Sequence, residues 1–280
     1  MEKLDLVIKI GSMALIRKEE NEIDYNILSR LSAELKPGMA LISSGATEIG
    51  RLDYLKRTGR VLSGEHDAVI TDYAAQGQAI LMAQYRSFLR PEYSLRQLLV
   101  EHTHFNDPLK REHIRRLLLR AAQQGAVVII NYNDPVSAEE NRKMELSALR
   151  ECTKSVVECI DNDETAAVIA ELAGAKTLLI LTSTEGIYRD IEDENTLVPR
   201  ISGKNADELE AKIRALQASC IGASRPGAQG AFAKLEYIIP MARRGARIII
   251  GHSRHRISDL AAGNVPCTNI SIQQEGLDND

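Results

Sequence analysis

Short apolar runs separated by amphipathic stretches recur along this chain, and most of the runs break into small or polar residues. Leu4, Leu6, Ile8 and Ile10 alternate with Asp5, Val7 and Lys9 before Gly11 and Ser12, which predicts a strand running into a glycine turn. Asp24 is placed to cap a helix through Leu35, with Leu28, Leu31 and Leu35 on one face and Pro37-Gly38 as the stop. Residues 39–42 predict a strand that breaks into Ser43-Ser44-Gly45-Ala46, and the polar stretch 51–65 predicts a mobile loop. A long helix over 67–89 ends before Pro91, residues 95–100 form a strand, and Asp107-Pro108 opens a helix that Gly125 ends. Residues 126–130 are apolar throughout and β-branched after Ala126, the pattern of a strand buried on both faces. The alternation continues with largely helical stretches over 137–160 and 163–172, a strand over 177–181 and a helix over 206–216. A helix containing Lys234, a strand over 246–250 and an edge strand over 268–272 complete it. Strands alternating with helices in this way predict an α/β fold around a parallel sheet.

In an open parallel sheet, ligands gather outside the carboxyl ends of the strands, so the residues that end each run are the candidates for chemistry. Lys9, followed by Gly11 and Ser12, is placed to meet a phosphate; it equally fits the outward residue of a half-exposed strand. The Ser43-Ser44-Gly45 turn suits a carboxylate or phosphate, and suits a helix N-cap as well. Asn131-Tyr132-Asn133-Asp134 is a polar cluster directly after a buried strand. Asp161-Asn162-Asp163 stands where the next helix needs a cap, a role that does not exclude binding. Small hydroxyl residues, Thr182-Ser183-Thr184, follow another strand. The glycine-rich passage 222–230 opens the helix of Lys234, in the manner either of a phosphate cradle or of a loop before a solvated lysine.

Composition narrows the classes. A formal net charge of −4 argues against general nucleic-acid binding, and an aromatic content of 4% without Trp argues against base-stacking platforms. No apolar run approaches the roughly 18 residues that span a bilayer, and the first residues lack a signal peptide's order, so the expectation is a cytoplasmic protein without a membrane partner. The four cysteines show no C-x-x-C spacing and are expected to be reduced, mostly buried thiols.

Taken in order, a set of motifs resembles the amino-acid kinase family over nearly the whole chain, and most closely its glutamate 5-kinases. They are Lys9-Ile10-Gly11-Ser12, Ser43-Ser44-Gly45-Ala46, Ala75-Gln76-Gly77-Gln78, Asn131-Tyr132-Asn133-Asp134, Asp161-Asn162-Asp163, Leu181-Thr182-Ser183 with Gly186-Ile187-Tyr188, and Gly230 with Lys234. The resemblance implies one three-layer α/β/α domain over 1–280, with an acceptor side over about 1–174 and a nucleotide side over about 175–280. It implies ATP and Mg²⁺, an amino acid as small-molecule substrate, and phosphorylation of the side-chain carboxylate of glutamate on the way to proline. It also implies a homo-oligomer, and the expectation is a kinase domain alone, without the RNA-modification-type C-terminal domain that many glutamate 5-kinases append.

By the same resemblance, Lys9 and Lys234 neutralise the transferring phosphoryl group and Asp163 orients both lysines. Gly11 and Ser12 contact phosphate, Thr182, Ser183, Gly227, Gly230 and Lys234 surround the nucleotide, and Ser44, Gly45, Asp134 and Asn162 hold the amino acid, with no dedicated metal ligand. The chemistry agrees: a carboxylate with a reference pKa of about 4.3 needs no general base, only positioning and positive charge on the phosphoryl oxygens.

The departures are concentrated in a few places. Thr182-Ser183 stands where Thr-Asp is usual, Ala228-Gln229-Gly230-Ala231 where Thr-Gly-Gly-Met is usual, and Pro266-Cys267-Thr268-Asn269 where Gly-Thr-Leu-Phe is usual. Tyr132 replaces a common glutamate, and the 26 residues between Asp134 and Asp161 exceed the usual connection. Two other readings therefore stay open at this level: a kinase of the same fold with another carboxylate, carbamate or phosphate acceptor, and a catalytically weak nucleotide- or amino-acid-binding regulator.

Overall fold

The computed structural model describes residues 3–137, 139–152, 156–159, 162–219 and 230–273. Its elements run β1 (Leu6–Ile10), β2 (Ile16–Arg17), β3 (Glu22–Ile23), α1 (Tyr25–Glu34), β4 (Met39–Ser43), α2 (Ala46–Thr58), α3 (His66–Phe88), β5 (Ser94–Val100), α4 (His102–Asn106), α5 (Pro108–Gln123) and β6 (Ala126–Tyr132). They continue with α6 (Glu139–Cys152), α7 (Asn162–Leu172), β7 (Thr177–Thr182), β8 (Arg200–Gly203), α8 (Ala206–Ser219), α9 (Gly230–Arg243), β9 (Arg247–His252), α10 (Ile257–Ala262) and β10 (Cys267–Ile272). The expected caps are present. The Asp24 carboxylate accepts from the amides of Asn26 and Ile27, and Asp107 accepts from those of Leu109 and Lys110 ahead of Pro108.

Eight strands form one sheet in the order β5-β6-β4-β1-β7-β9-β10-β8, parallel at every pairing except β9 with β10. Alternate strand residues feed two cores. Ile8, Ile10, Leu41, Ile129, Leu179 and Ile249 pack under α1, α2, α3 and α10. Val7, Ile42, Val128, Ile130, Leu178 and Ile248 pack under α5, α7, α8 and α9, which makes the molecule a three-layer α/β/α sandwich. β1 is central, with β4 on one side and β7 on the other, so the chain switches direction across the sheet where Lys9 ends its strand.

Two expectations are corrected. Most of the stretch read as a loop over 51–65 is helix, because the inner face of α2 is narrow (Ala46, Ile49, Gly50 and Leu52) and charges such as the Glu48–Arg51 and Asp53–Arg57 pairs cover the rest. β10 is not the edge strand. The buried Thr268 hydroxyl accepts from the amide of Ile187 and donates to the carbonyl of Val198, holding β10 inside, while the short β8 forms the edge. The described cysteines agree with mostly buried thiols: Cys159 and Cys267 are buried and Cys152 is exposed.

α2 and α3 meet backbone to backbone. A Cβ placed on Gly77 would stand 1.8 Å from the carbonyl oxygen of Ala46, and one on Gly50 would stand 1.9 Å from that of Tyr73. Gly77→Ala is accordingly expected to destabilise the protein by more than about 2 kcal/mol, read as a lowered denaturation midpoint; an unchanged midpoint would mean that the helices separate freely.

Candidate active site

The fold carries Lys9 inward. β1 is buried along its whole length and is paired on both sides, so Lys9 is only 8% exposed and the outward reading of this residue fails. A buried ammonium needs a counter-charge, and the first turn of α7, packed against β1, supplies it. Asp163 Oδ1 lies 2.7 Å from Lys9 Nζ, and Asp163 Oδ2 lies 3.1 Å from Lys234 Nζ of α9. Burial alone would raise the Asp163 carboxyl, but Lys9 and Lys234 outweigh it and hold the group below the usual carboxylate range. One carboxylate thus gathers two cations from opposite ends of the chain.

Lys9 and Asp163 border a cleft of about 270 Å³ that is also lined by Gly11, Ser12, Ser44, Tyr132, Asp134 and Asn162. Two cavities of about 480 and 460 Å³ lie elsewhere, but neither is lined by a residue of the motifs above, whereas the smaller cleft holds Asp163, on which both lysines converge. Gly45 adopts a φ of 111°, a left-handed conformation that glycine accepts without strain, and the following helix α2 has no side-chain cap. Ser44 is therefore free of capping duty. Its hydroxyl accepts from Asn162 Nδ2 at 2.8 Å, and that same Nδ2 donates to Asn131 Oδ1 at 3.1 Å. Asn131 in turn donates to Gln78 Oε1 at 2.9 Å, so a buried amide chain fixes which way Asn162 faces. Its Oδ1 is left without a hydrogen-bond donor among the described residues.

Asp134, in a 3-10 turn directly after β6, has its carboxyl pushed up to about 6 by burial, with Arg142 pulling the other way. Sequence reasoning singled out Asp134, Asn162 and Ser44 but gave no role to Asn131, Gln78 or Tyr132. Their signal was their place in the quoted motifs, where a polar residue inside a buried element needs a partner.

On the other side of the lysines the arrangement is less complete. The Thr182 hydroxyl is engaged locally, donating to the carbonyl of Thr184 and accepting from its amide, and Ser183 is exposed. Gly230 is the first residue of α9; Gly227 and the rest of the glycine-rich passage lie outside the described residues. Glu185 pairs with Arg254 and sits 2.6 Å from His255 Nε2, joining the ends of β7 and β9. Among the described residues no three His, Cys, Asp or Glu side chains form a group able to hold a metal ion, and no helix is long and apolar enough to cross a membrane.

A sheet edge that brings a strand-end lysine, a helix-borne lysine and one shared carboxylate together can bind and stabilise a transferring phosphoryl group. The family model for the amino acid kinase family matches residues 6–252. The chain belongs to the amino acid kinase family. Among curated members it is 28% identical over 270 residues to glutamate 5-kinase 2 of Rhizobium meliloti, covering 92% of this chain and 90% of that one. It is 30% identical over 273 residues to glutamate 5-kinase of Burkholderia mallei, covering 92% of this chain and 65% of that one. Among solved structures of the fold, carbamate kinase of Giardia superposes with a TM-score of 0.59 at 16% identity, covering 98% and 100% of the two chains. UMP kinase of Ureaplasma parvum gives 0.57 at 11%, covering 97% and 100%. Membership of this amino acid kinase family makes the protein a phosphotransferase.

Proposed function

We propose that this protein transfers the terminal phosphoryl group of ATP to the side-chain carboxylate of glutamate. The observation that carries the reading is Asp163 holding Lys9 and Lys234 on one carboxylate beside a cleft that ends in Asp134 and the undonated Asn162 Oδ1. A desolvated carboxylate and an orphaned amide oxygen together fit an ammonium group, which glutamate carries and a carbamate does not. The curated glutamate 5-kinases that share about 30% of this sequence support the same acceptor.

In this mechanism the acceptor's side-chain oxygen attacks the terminal phosphorus in line, the bond to the bridging oxygen of ADP breaks, and no proton is transferred. Lys9 and Lys234 shift from Asp163 toward the phosphoryl oxygens as charge spreads over them. Gly11 and Ser12 offer phosphate contacts beside Lys9, the end of β7 and the start of α9 face the nucleotide, and Ser44 with Asn162 and Asp134 fixes the amino acid. The protein's donor set is cationic and hydroxylic, which fits magnesium held on the ATP phosphates with its own waters; it would add positive charge to the same oxygens.

The test is ADP release by purified protein with Mg·ATP, glutamate and hydroxylamine, which traps an acyl phosphate as the hydroxamate. Glutamate-dependent hydroxamate supports the reading. Turnover with aspartate, carbamate or a nucleoside monophosphate instead would overturn it.

Asp134 gives the reading a pH signature. Below about 6 its carboxyl is protonated and no longer attracts an ammonium, so the glutamate KM is expected to rise as pH falls from 7 to 5, by up to roughly tenfold per unit. Asp134→Asn should have a high KM that no longer depends on pH over that range; an unchanged KM would remove Asp134 from the acceptor site. The sign for folding is the opposite one. Because the folded value is raised, this group's stabilising contribution is complete below its unfolded value and is lost as pH rises through about 6, until an ammonium arrives to pair with it.

A further inference from the structure

The long connection between Asp134 and Asp161 builds α6, and α6 touches the rest of the protein along one face. Arg142, Glu145 and Leu146 lie three and four residues apart on that face, while Met144 points to solvent. Leu146 is buried. Glu145 Oε2 stands 3.0 Å from Nε2 of the fully buried His102, whose Nδ1 is 3.4 Å from the Tyr132 hydroxyl. Burial holds His102 below the usual imidazole range, with Glu145 and Glu101 pulling the other way, so the ring stands as a neutral support behind Tyr132. The Tyr132 hydroxyl also meets Ser137 Oγ at 3.0 Å. On this support the Arg142 guanidinium lies over the Tyr132 ring, 5.8 Å from its centroid. Tyr132 and Asp134 both line the cleft.

Arg142 differs from Arg150, the other arginine of α6, which is paired with Glu158. Arg142 is half-buried, yet no carboxylate lies within ion-pair distance of it among the described residues. Glutamate as acceptor carries three ionised groups. Its reacting carboxylate faces the lysines and its ammonium faces Asp134 and Asn162; the remaining carboxylate needs a cation, and the planar fork of an arginine matches it.

We propose that Arg142 holds the second carboxylate of the acceptor, which makes α6 the element that distinguishes an amino dicarboxylate from an acceptor with a single carboxylate. This rests on the reading of the site as a glutamate kinase. Glu145 and His102 are positioning residues, acting through α6 and Tyr132.

The experiment compares glutamate with 4-aminobutyrate, which keeps the reacting carboxylate and the ammonium but lacks the second carboxylate, in the hydroxamate assay. For Arg142→Ala the ratio of kcat/KM for glutamate over that for 4-aminobutyrate is expected to fall at least about 30-fold, through the glutamate KM, with partial recovery in Arg142→Lys. Arg142→Gln, which keeps a polar stem beside the Tyr132 ring, guards against misfolding and should show the same collapse. A preserved ratio in Arg142→Ala, or a loss confined to kcat, overturns the assignment while leaving the glutamate reading intact. Absence of any glutamate-dependent hydroxamate in the unmodified protein overturns both.

Discussion

Asp163→Asn is expected to lower turnover by roughly 10²–10³-fold, because the amide cannot serve two ammonium groups at once. An ionised carboxylate offers an acceptor oxygen to each lysine, 2.7 Å from Lys9 and 3.1 Å from Lys234. An asparagine offers one oxygen and one NH₂, so one lysine faces a donor and loses its place. The site is also left with two cations and no counter-charge, and breaking a buried ion pair of this kind costs about 3 kcal/mol or more. Thermal denaturation gives a second readout. With its folded value held low, Asp163 contributes stability that is complete above its unfolded value of about 3.9 and is lost as pH falls through the lower folded value. The gap in midpoint between the unmodified protein and the variant should therefore be wide at pH 7 and should close progressively as pH falls from about 4 through that lower value. Equal turnover in the two proteins would remove Asp163 from the phosphoryl site.

Lys234→Ala is expected to reduce kcat at least roughly 100-fold while the glutamate KM stays within about threefold, since the charge acts on the phosphoryl oxygens and not on the acceptor. Lys9→Ala should act in the same direction with a larger loss of stability, because the Lys9 side chain is 11% exposed and that of Lys234 is 23% exposed. The comparison needs steady-state kinetics at saturating glutamate together with a denaturation curve for each variant. Turnover that survives either substitution would refute the role assigned to that lysine.

The parts of the molecule that announce themselves in the sequence are those where local pattern and tertiary demand agree. The apolar run of β6, the Asp107-Pro108 start of α5 and the Asp24 cap needed no knowledge of their neighbours. α2 was hidden because half of its inner face is Ala46 and Gly50, residues whose value lies in being small against α3 and which carry no hydrophobic signal. β8 was hidden because four residues at a sheet edge have too little period to read. For the site, the chain marked Lys9, Ser44, Asp134, Asn162 and Asp163 through their position after buried strands or at helix starts. The meeting of Lys9 with Lys234 through Asp163 is a property of the fold, and only the resemblance to a family linked them in advance. Arg142 and Glu145 sit in a highly charged helix where nothing distinguishes an inward charge from a solvated one.

The glycine contact between α2 and α3 also bears on acceptor length. Ser44 and Gly45 lie at the start of α2, and behind them Ala46, Gly50 and Gly77 touch main chain to main chain. A wall of side chains can yield by changing rotamers, but a wall of peptide groups already in contact has no such freedom. For an acceptor bound as proposed, against Ser44, that side of the cleft would be a fixed stop and the span from it to Lys9 a gauge. An acceptor one methylene longer would then have to bend or withdraw its reacting oxygen from the line of attack, so the proposed site would discriminate between homologous chain lengths through its scaffold, before any specificity side chain is considered.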